Sequence, residues 1–336
     1  MNYAAQPKDP FRHVHNRKSM YRLIFLAALI LTPAAFAWNS VGHKAVAGMG
    51  YDKLNSSTRA KVDALIRQHP DYQSWLANAP TDEKGKARHA FIQAAFWPDT
   101  IKGDPRFYDE MRRDPVPTPA QKGFADMKRR TNWHYINIAF STDNTPFPPP
   151  PAVNALSQIQ MILSAIGNAP PAPGSVPVEQ DPTYLLPWLL HLVGDVHNPM
   201  HCTSRWKRDQ VDPKTGQPWS DLGGNGVMVV GSYNLHAFWD DALGITDTPV
   251  FINGLIQFLK KKGKAGKKIV DPQLWVKEGA RLAETVAYNY GPDGLGTKES
   301  PVKLPETYIV NARALAKERA ALAARRLAAV LNARLP

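Results

Sequence analysis

The strongest constraint on this chain lies in two short segments. One reads His191-Leu192-Val193-Gly194-Asp195-Val196-His197-Asn198-Pro199-Met200-His201, the other Asn234-Leu235-His236-Ala237-Phe238-Trp239-Asp240. Each sets a His and an Asp four residues apart. On a helix that spacing stacks both side chains on one face, within reach of a single ion. Imidazole with carboxylate is a donor set suited to zinc. One such pair is commonplace on a helix surface. Two of them, with His201 beyond the helix-breaking Asn198-Pro199, point to a fold that gathers helices around metal.

The rest of the chain also reads as helical. Apolar residues recur at helical spacing over Ser40 to Leu54, Ala152 to Ile166 and Glu306 to Leu335. Further helices are expected at Arg59 to Gln68, after the capping Ser56-Ser57-Thr58, and at Arg88 to Phe96. Asp181-Pro182 caps the helix that carries His191 and Asp195, and Pro187 either kinks it or marks its true start. Leu235 to Leu243 and Pro272 to Tyr290 complete the set, the latter with Asp271 as N-cap. Residues 80–86, 103–122, 145–151, 169–177 and 206–233 read as loop, rich in Pro, Gly or charge. Trp133 to Ala139 is expected to be extended, and Val227 to Val230 to supply a small hairpin strand. The expected architecture is mainly α: one domain with long Pro/Gly-rich loops.

The N-terminal stretch has the form of a signal peptide. Arg17, Lys18 and Arg22 precede the apolar run Leu23 to Leu31, and Ala35-Phe36-Ala37 fits a small-x-small cleavage site. The run is too short to span a bilayer, and a start at Met20 would make the peptide compact. Residues 1–37 are therefore assigned to the signal and 38–336 to the mature domain, in a secreted or periplasmic protein. Cleavage after Ala37 frees the amine of Trp38, which with its own carbonyl can chelate an ion. The single Cys202 allows no internal disulfide, so metals would serve as staples. The formal net charge of +12 favours polyanionic partners.

Further motifs join the first two: Trp38-xxxx-His43, Phe96-Trp97-Pro98-Asp99 and Trp133-His134-Tyr135. In order and context, this set resembles the zinc-dependent single-strand nucleases and 3′-nucleotidases of the S1/P1 nuclease family, which are related to the zinc phospholipases C. The resemblance runs from Trp38 to Asp240 and weakly to the closing helix. It implies the all-helical fold of those enzymes and three zinc ions. One ion would take Asp99, His134, His191 and one oxygen of Asp195. A second would take the Trp38 amine and carbonyl, His43 and the other Asp195 oxygen. The third would take His201, His236 and Asp240.

The resemblance further implies an endonuclease that cuts single-stranded RNA and DNA to 5′-phosphorylated products and removes 3′-phosphates from nucleotides. Zinc lowers the pKa of a bound water to about 7, and three divalent ions neutralise a phosphoryl transition state. Asp99 is expected to orient the nucleophile and Lys102 to face the phosphate. Tyr135 is expected to stack on a base, and Asn225, in Asp221-Leu222-Gly223-Gly224-Asn225, to read one. His197 has a structural part in this scheme, and His13, His15, His69 and His89 have no ligand context. Phospholipid is the rival substrate, since a zinc phospholipase C shares the fold and metal set. A non-catalytic zinc-stapled binding protein is the third reading. No obligate protein partner is implied, and a monomer is expected. Departures from the family are Pro98 in place of the usual Ala, and the absence of disulfides.

Overall fold

In the computed structural model, the described residues are 1, 38–116, 120–169, 171–212, 216–262, 270–291 and 296–336. The segment read as a signal peptide, with His13 and His15, lies outside them apart from Met1. Contacts divide the chain into Met1–Pro33 and Ala34–Pro336. Every element below belongs to the second unit.

The central element is a helix buried on all sides. Ten α-helices are present among the described residues: α1 (Ser40–Tyr51), α2 (Ser56–Gln68), α3 (Glu83–Ala94), α4 (Trp97–Gly103), α5 (Ala155–Ala165), α6 (Pro182–Asp195), α7 (Leu235–Asp240), α8 (Pro249–Lys261), α9 (Pro272–Leu282) and α10 (Glu306–Arg334). Every residue of α6 is buried, as its apolar sequence on all faces requires. Around it pack α1, α2, α4, α5 and α10, and α1 lies in turn against α3, α8 and α10. Asp181 caps α6 through the amides of Thr183 and Tyr184. Pro187 lies inside this helix, so it neither starts nor ends it. It forgoes one backbone bond, to the Thr183 carbonyl.

A three-stranded sheet flanks the bundle: β1 (Ile138–Ser141), β2 (Thr203–Val211) and β3 (Pro218–Ser220) in the order β1-β2-β3. β1 runs parallel to β2, with Ile138 opposite Thr203, and β3 is antiparallel to β2, with Trp206 opposite Ser220. The mainly helical architecture is therefore as expected, but several elements differ. The hairpin lies at β2 and β3, not at Val227–Val230, where only an isolated bridge joins Val229 to Val302. The helix expected at Arg88 to Phe96 ends at Ala94, and α4 restarts the chain at Trp97. Pro98 sits in the first turn of α4, where its missing N–H has no helical partner to lose. It therefore presents Asp99 without a kink. α8, capped by Thr248 with Pro249 following, was not anticipated. α9 ends at Leu282 and gives way to one π-helical stretch, Ala283–Ala287.

Candidate metal centre

Every side chain proposed as a ligand is buried, and each is delivered by a fixed element. His43 comes from the second turn of α1, and Asp99 from the first turn of α4. His134 closes the 3₁₀ turn Thr131–Trp133, and His191 and Asp195 lie on the last turns of α6. His201 ends the 3₁₀ turn Pro199–His201, while His236 and Asp240 share one face of α7. Three groups have their donor atoms close enough to share an ion: His43, His191 and Asp195; Asp99, His134 and His191; His201, His236 and Asp240.

Asp195 faces two ways. Its Oδ1 lies 3.3 Å from His43 Nε2, and its Oδ2 lies 3.4 Å from both His134 Nδ1 and His191 Nε2. Asp99 Oδ1 is 3.6 Å from His191 Nε2 and 3.8 Å from His134 Nδ1. In the third group His201 Nε2 is 3.0 Å from His236 Nε2 and 3.8 Å from Asp240 Oδ1, and His236 Nε2 is 3.5 Å from Asp240 Oδ2. Donors bound to a tetrahedral zinc at about 2.0–2.1 Å lie roughly 3.3 Å apart, so these separations fit such an ion. Both oxygens of Asp195, Asp99 Oδ2 and His43 Nε2 are buried with no hydrogen-bond partner. Buried polar atoms are normally satisfied. The donor set fits divalent metal.

The outward nitrogens are fixed by backbone. The Nδ1 atoms of His191, His201 and His236 lie 2.9, 2.8 and 2.7 Å from the carbonyls of Ala95, His134 and Gly223. Each ring donates there and so turns Nε2 inward as a lone-pair donor. The bond from His201 to the His134 carbonyl also ties the third group to the others. Burial holds the imidazoles of His43, His134, His191 and His236 below their ordinary value and therefore neutral. Burial pushes the carboxyl of Asp195 well above its ordinary range, with Asp99 adding to the effect, and pushes Asp240 up to about 8. Carboxylates this poorly solvated call for a cation beside them.

Lys102 belongs to the centre: its Nζ lies 2.7 Å from Asp99 Oδ1, with the side chain almost wholly buried. Trp38 is buried at the foot of α1, where Gly42 gives it room; a Cβ on Gly42 would lie 2.6 Å from Trp38 Cβ. Tyr135 is half-buried, with its hydroxyl pushed up by burial and by Asp109, and none of the three groups includes it. Asn225 lies in the loop that holds His236, but its amide donates to the Leu222 carbonyl at 2.8 Å and its Oδ1 accepts from Asn234 at 3.3 Å. Gly223 and Gly224 do serve close approach, though to this chain's own backbone and side chains. A Cβ on Gly223 would lie 2.7 Å from the Met200 carbonyl, and one on Gly224 2.4 Å from Met200 Cε.

His197 is structural, as expected. Its Nδ1 donates to the Val193 carbonyl at 2.7 Å, and its Nε2 accepts from Arg326 at 3.0 Å. Of the remaining histidines, His69 is in the core and His89 is partly exposed. Sequence reasoning missed Asn198, which it read only as a helix breaker. The Asn198 amide donates to Asp240 Oδ1 at 2.8 Å while Oδ1 accepts from the Met200 amide. It also missed Asn39, which caps α1 and donates to Asp241 and the Gly244 carbonyl, tying the Trp38 end to the end of α7.

A family model described as S1/P1 Nuclease matches residues 38–336. Comparison with curated proteins finds no match.

Proposed function

From the premise that the chain belongs to the S1/P1 nuclease family, we propose that it hydrolyses single-stranded RNA and DNA to 5′-phosphorylated products and removes 3′-phosphates from nucleotides, with three zinc ions as cofactors. The observation that carries this reading is Asp195, whose two oxygens face separate donor groups. In it, Asp99, His134, His191 and Asp195 hold one ion, and His43, Asp195 and the amine and carbonyl of Trp38 a second. His201, His236 and Asp240 hold the third. When bound, the ions supply Lewis-acid neutralisation of phosphate charge and a water acidic enough to ionise near neutral pH.

The chain's own side chains do the rest. Lys102 carries its charge to the same place as Asp99 and binds a non-bridging oxygen of the scissile phosphate as a point charge. Asp99 accepts a hydrogen bond from the attacking water and aligns it. Burial of every ligand keeps bulk water out of the centre, where charge interactions are strongest. Tyr135 offers a ring for a base beside the reacting phosphate, and Asn225 a polar contact to it. Because the Trp38 amine exists only after cleavage behind Ala37, the metal set supports removal of residues 1–37 as a signal peptide and a secreted or periplasmic location.

The test gives the zinc-loaded protein beginning at Trp38 single-stranded RNA, single-stranded DNA and phosphatidylcholine vesicles side by side, with products identified by mass. Release of 5′-mononucleotides is expected. Diacylglycerol release with intact polynucleotide would move the assignment to a phospholipase C.

A further inference from the structure

Of the nine tryptophans, seven are core residues no more than 7% exposed, while Trp219 is 44% exposed and Trp206 partly so. These two meet on the hairpin, their ring centroids 6.5 Å apart and tilted by 46°. They are not a directly opposed strand pair, since Trp206 faces Ser220 and Lys207 faces Trp219. Trp219 keeps 44% of its surface in solvent and Trp206 part of its own.

The hairpin is rooted in the metal centre at both ends. β2 begins two residues after His201. β3 ends at Ser220, immediately before the loop whose Gly223 carbonyl accepts from His236 at 2.7 Å. That loop carries Leu222, 50% exposed and held at the strained φ of 53°. At a strand rise of about 3.3 Å per residue, Trp206 lies roughly 16 Å along the chain path from His201. That is a span of a few nucleotides. The charges at this stretch are Lys207, which is buried, Arg208 and Asp209.

We propose that Trp206 and Trp219 form a stacking platform for unpaired bases of a polynucleotide, a few nucleotides from the reacting phosphate and separate from the Tyr135 position. The inference rests on the nuclease reading and adds chain-length and single-strand selectivity to it. Every base has a π-face, so two exposed indoles grip a single strand with little regard to sequence. A duplex keeps its bases stacked internally and cannot use them.

The test compares the metal-loaded wild type with W219A and W219F on a twelve-nucleotide oligothymidylate and on a thymidine dinucleotide. The ratio of kcat/KM for the long substrate to that for the short one should fall about tenfold in W219A and largely recover in W219F. Using the ratio removes any general loss of folded protein. An unchanged ratio would overturn the platform. If the wild type cleaved neither DNA, the nuclease reading would fail by itself. The platform would then be judged by quenching of tryptophan fluorescence with a phosphorothioate oligothymidylate. Quenching that is diminished in W219A supports it, and absent quenching, or a Trp219-dependent response to phosphatidylcholine vesicles alone, overturns it.

Discussion

Gly194 exists to make room for His43. A Cβ on Gly194 would lie 2.8 Å from Nδ1 and 3.0 Å from Cε1 of that ring, closer than a side-chain carbon can approach. The ring is also stacked on His191, at a centroid distance of 3.8 Å and an interplanar angle of 14°. Helix α6 thus accepts the cost of a glycine so that α1 can bring an imidazole to Asp195.

This relationship sets two effects of opposite sign against each other in G194A. Alanine is the better helix former by roughly 0.5–1 kcal/mol. Displacing His43, however, breaks the donor group it shares with Asp195. The expected outcome is a folded protein that has lost at least one equivalent of zinc and at least a hundredfold in activity. Metal content by plasma mass spectrometry, with circular dichroism for the fold, checks it. Full metal content would show that the ring has another place to go.

Much of the centre was legible because its spacing is local. The four-residue intervals between His191 and Asp195 and between His236 and Asp240 announce one helical face each, and the structure has both on helices. What was not legible depends on distant partners. β2 reads Thr-Ser-Arg-Trp-Lys-Arg-Asp-Gln-Val, without the alternation of a half-buried strand, and it pairs in parallel with β1, far upstream. The glycine at 194 has no local reason, since the ring it clears belongs to α1. α8 differs from these: Thr248-Pro249 and the apolar Ile252, Leu255, Ile256 and Leu259 carry an ordinary local helix signature that needs no distant partner.

The proposed part of Trp38 makes activity depend on where the chain begins. Trp38 is buried and followed at once by Asn39, whose amide N–H donates to the Asp240 carbonyl at 3.2 Å. An extra Met before Trp38 converts its amine into a peptide nitrogen, which is a poor ligand. Such a protein should lack one zinc and most of its hydrolytic activity against single-stranded DNA, and removal of the Met by an aminopeptidase should restore both. Undiminished activity and metal content with the Met in place would exclude the amine as a ligand.

The C-terminal helix supports the centre through His197. Arg326 Nη1 donates to His197 Nε2 at 3.0 Å and to Glu278 at 2.7 Å, its Nη2 donates to Glu278 at 2.8 Å, and Arg319 reaches the same carboxylate at 3.0 Å. Both guanidiniums are buried, so removing Glu278 leaves two cations with little compensation. Glu278 is itself about one-third exposed, and screening reduces the effect. Glu278→Ala should lower the unfolding free energy by about 2 kcal/mol, read from urea midpoints. Glu278→Asp should fall between it and the wild type. A midpoint unmoved in both variants would mean that solvent already supports these arginines.

His69 should give the protein part of its acid sensitivity. The ring is 2% exposed, lies between Trp75 and Trp97 at 4.5 and 4.7 Å, and accepts from the Asp71 amide on Nδ1. Burial pushes its pKa from an ordinary 6.5 down to about 3, with Arg106 helping and Asp71 opposing. The unfolded chain therefore binds a proton over this window that the folded chain refuses. The contribution is complete above pH 6.5 and is lost as the pH falls toward 3. Between pH 7 and pH 5 this amounts to about 2 kcal/mol, at 1.36 kcal/mol per unit below 6.5. His69→Gln removes the titration while keeping a polar side chain of similar size. Any metal held by the proposed histidine ligands would be lost to acid in both proteins alike, so that loss cancels in the comparison. Urea unfolding at the two pH values should show a smaller acid loss in the variant, by about that amount. Equal losses would mean that His69 becomes protonated in the folded protein as readily as in the unfolded chain.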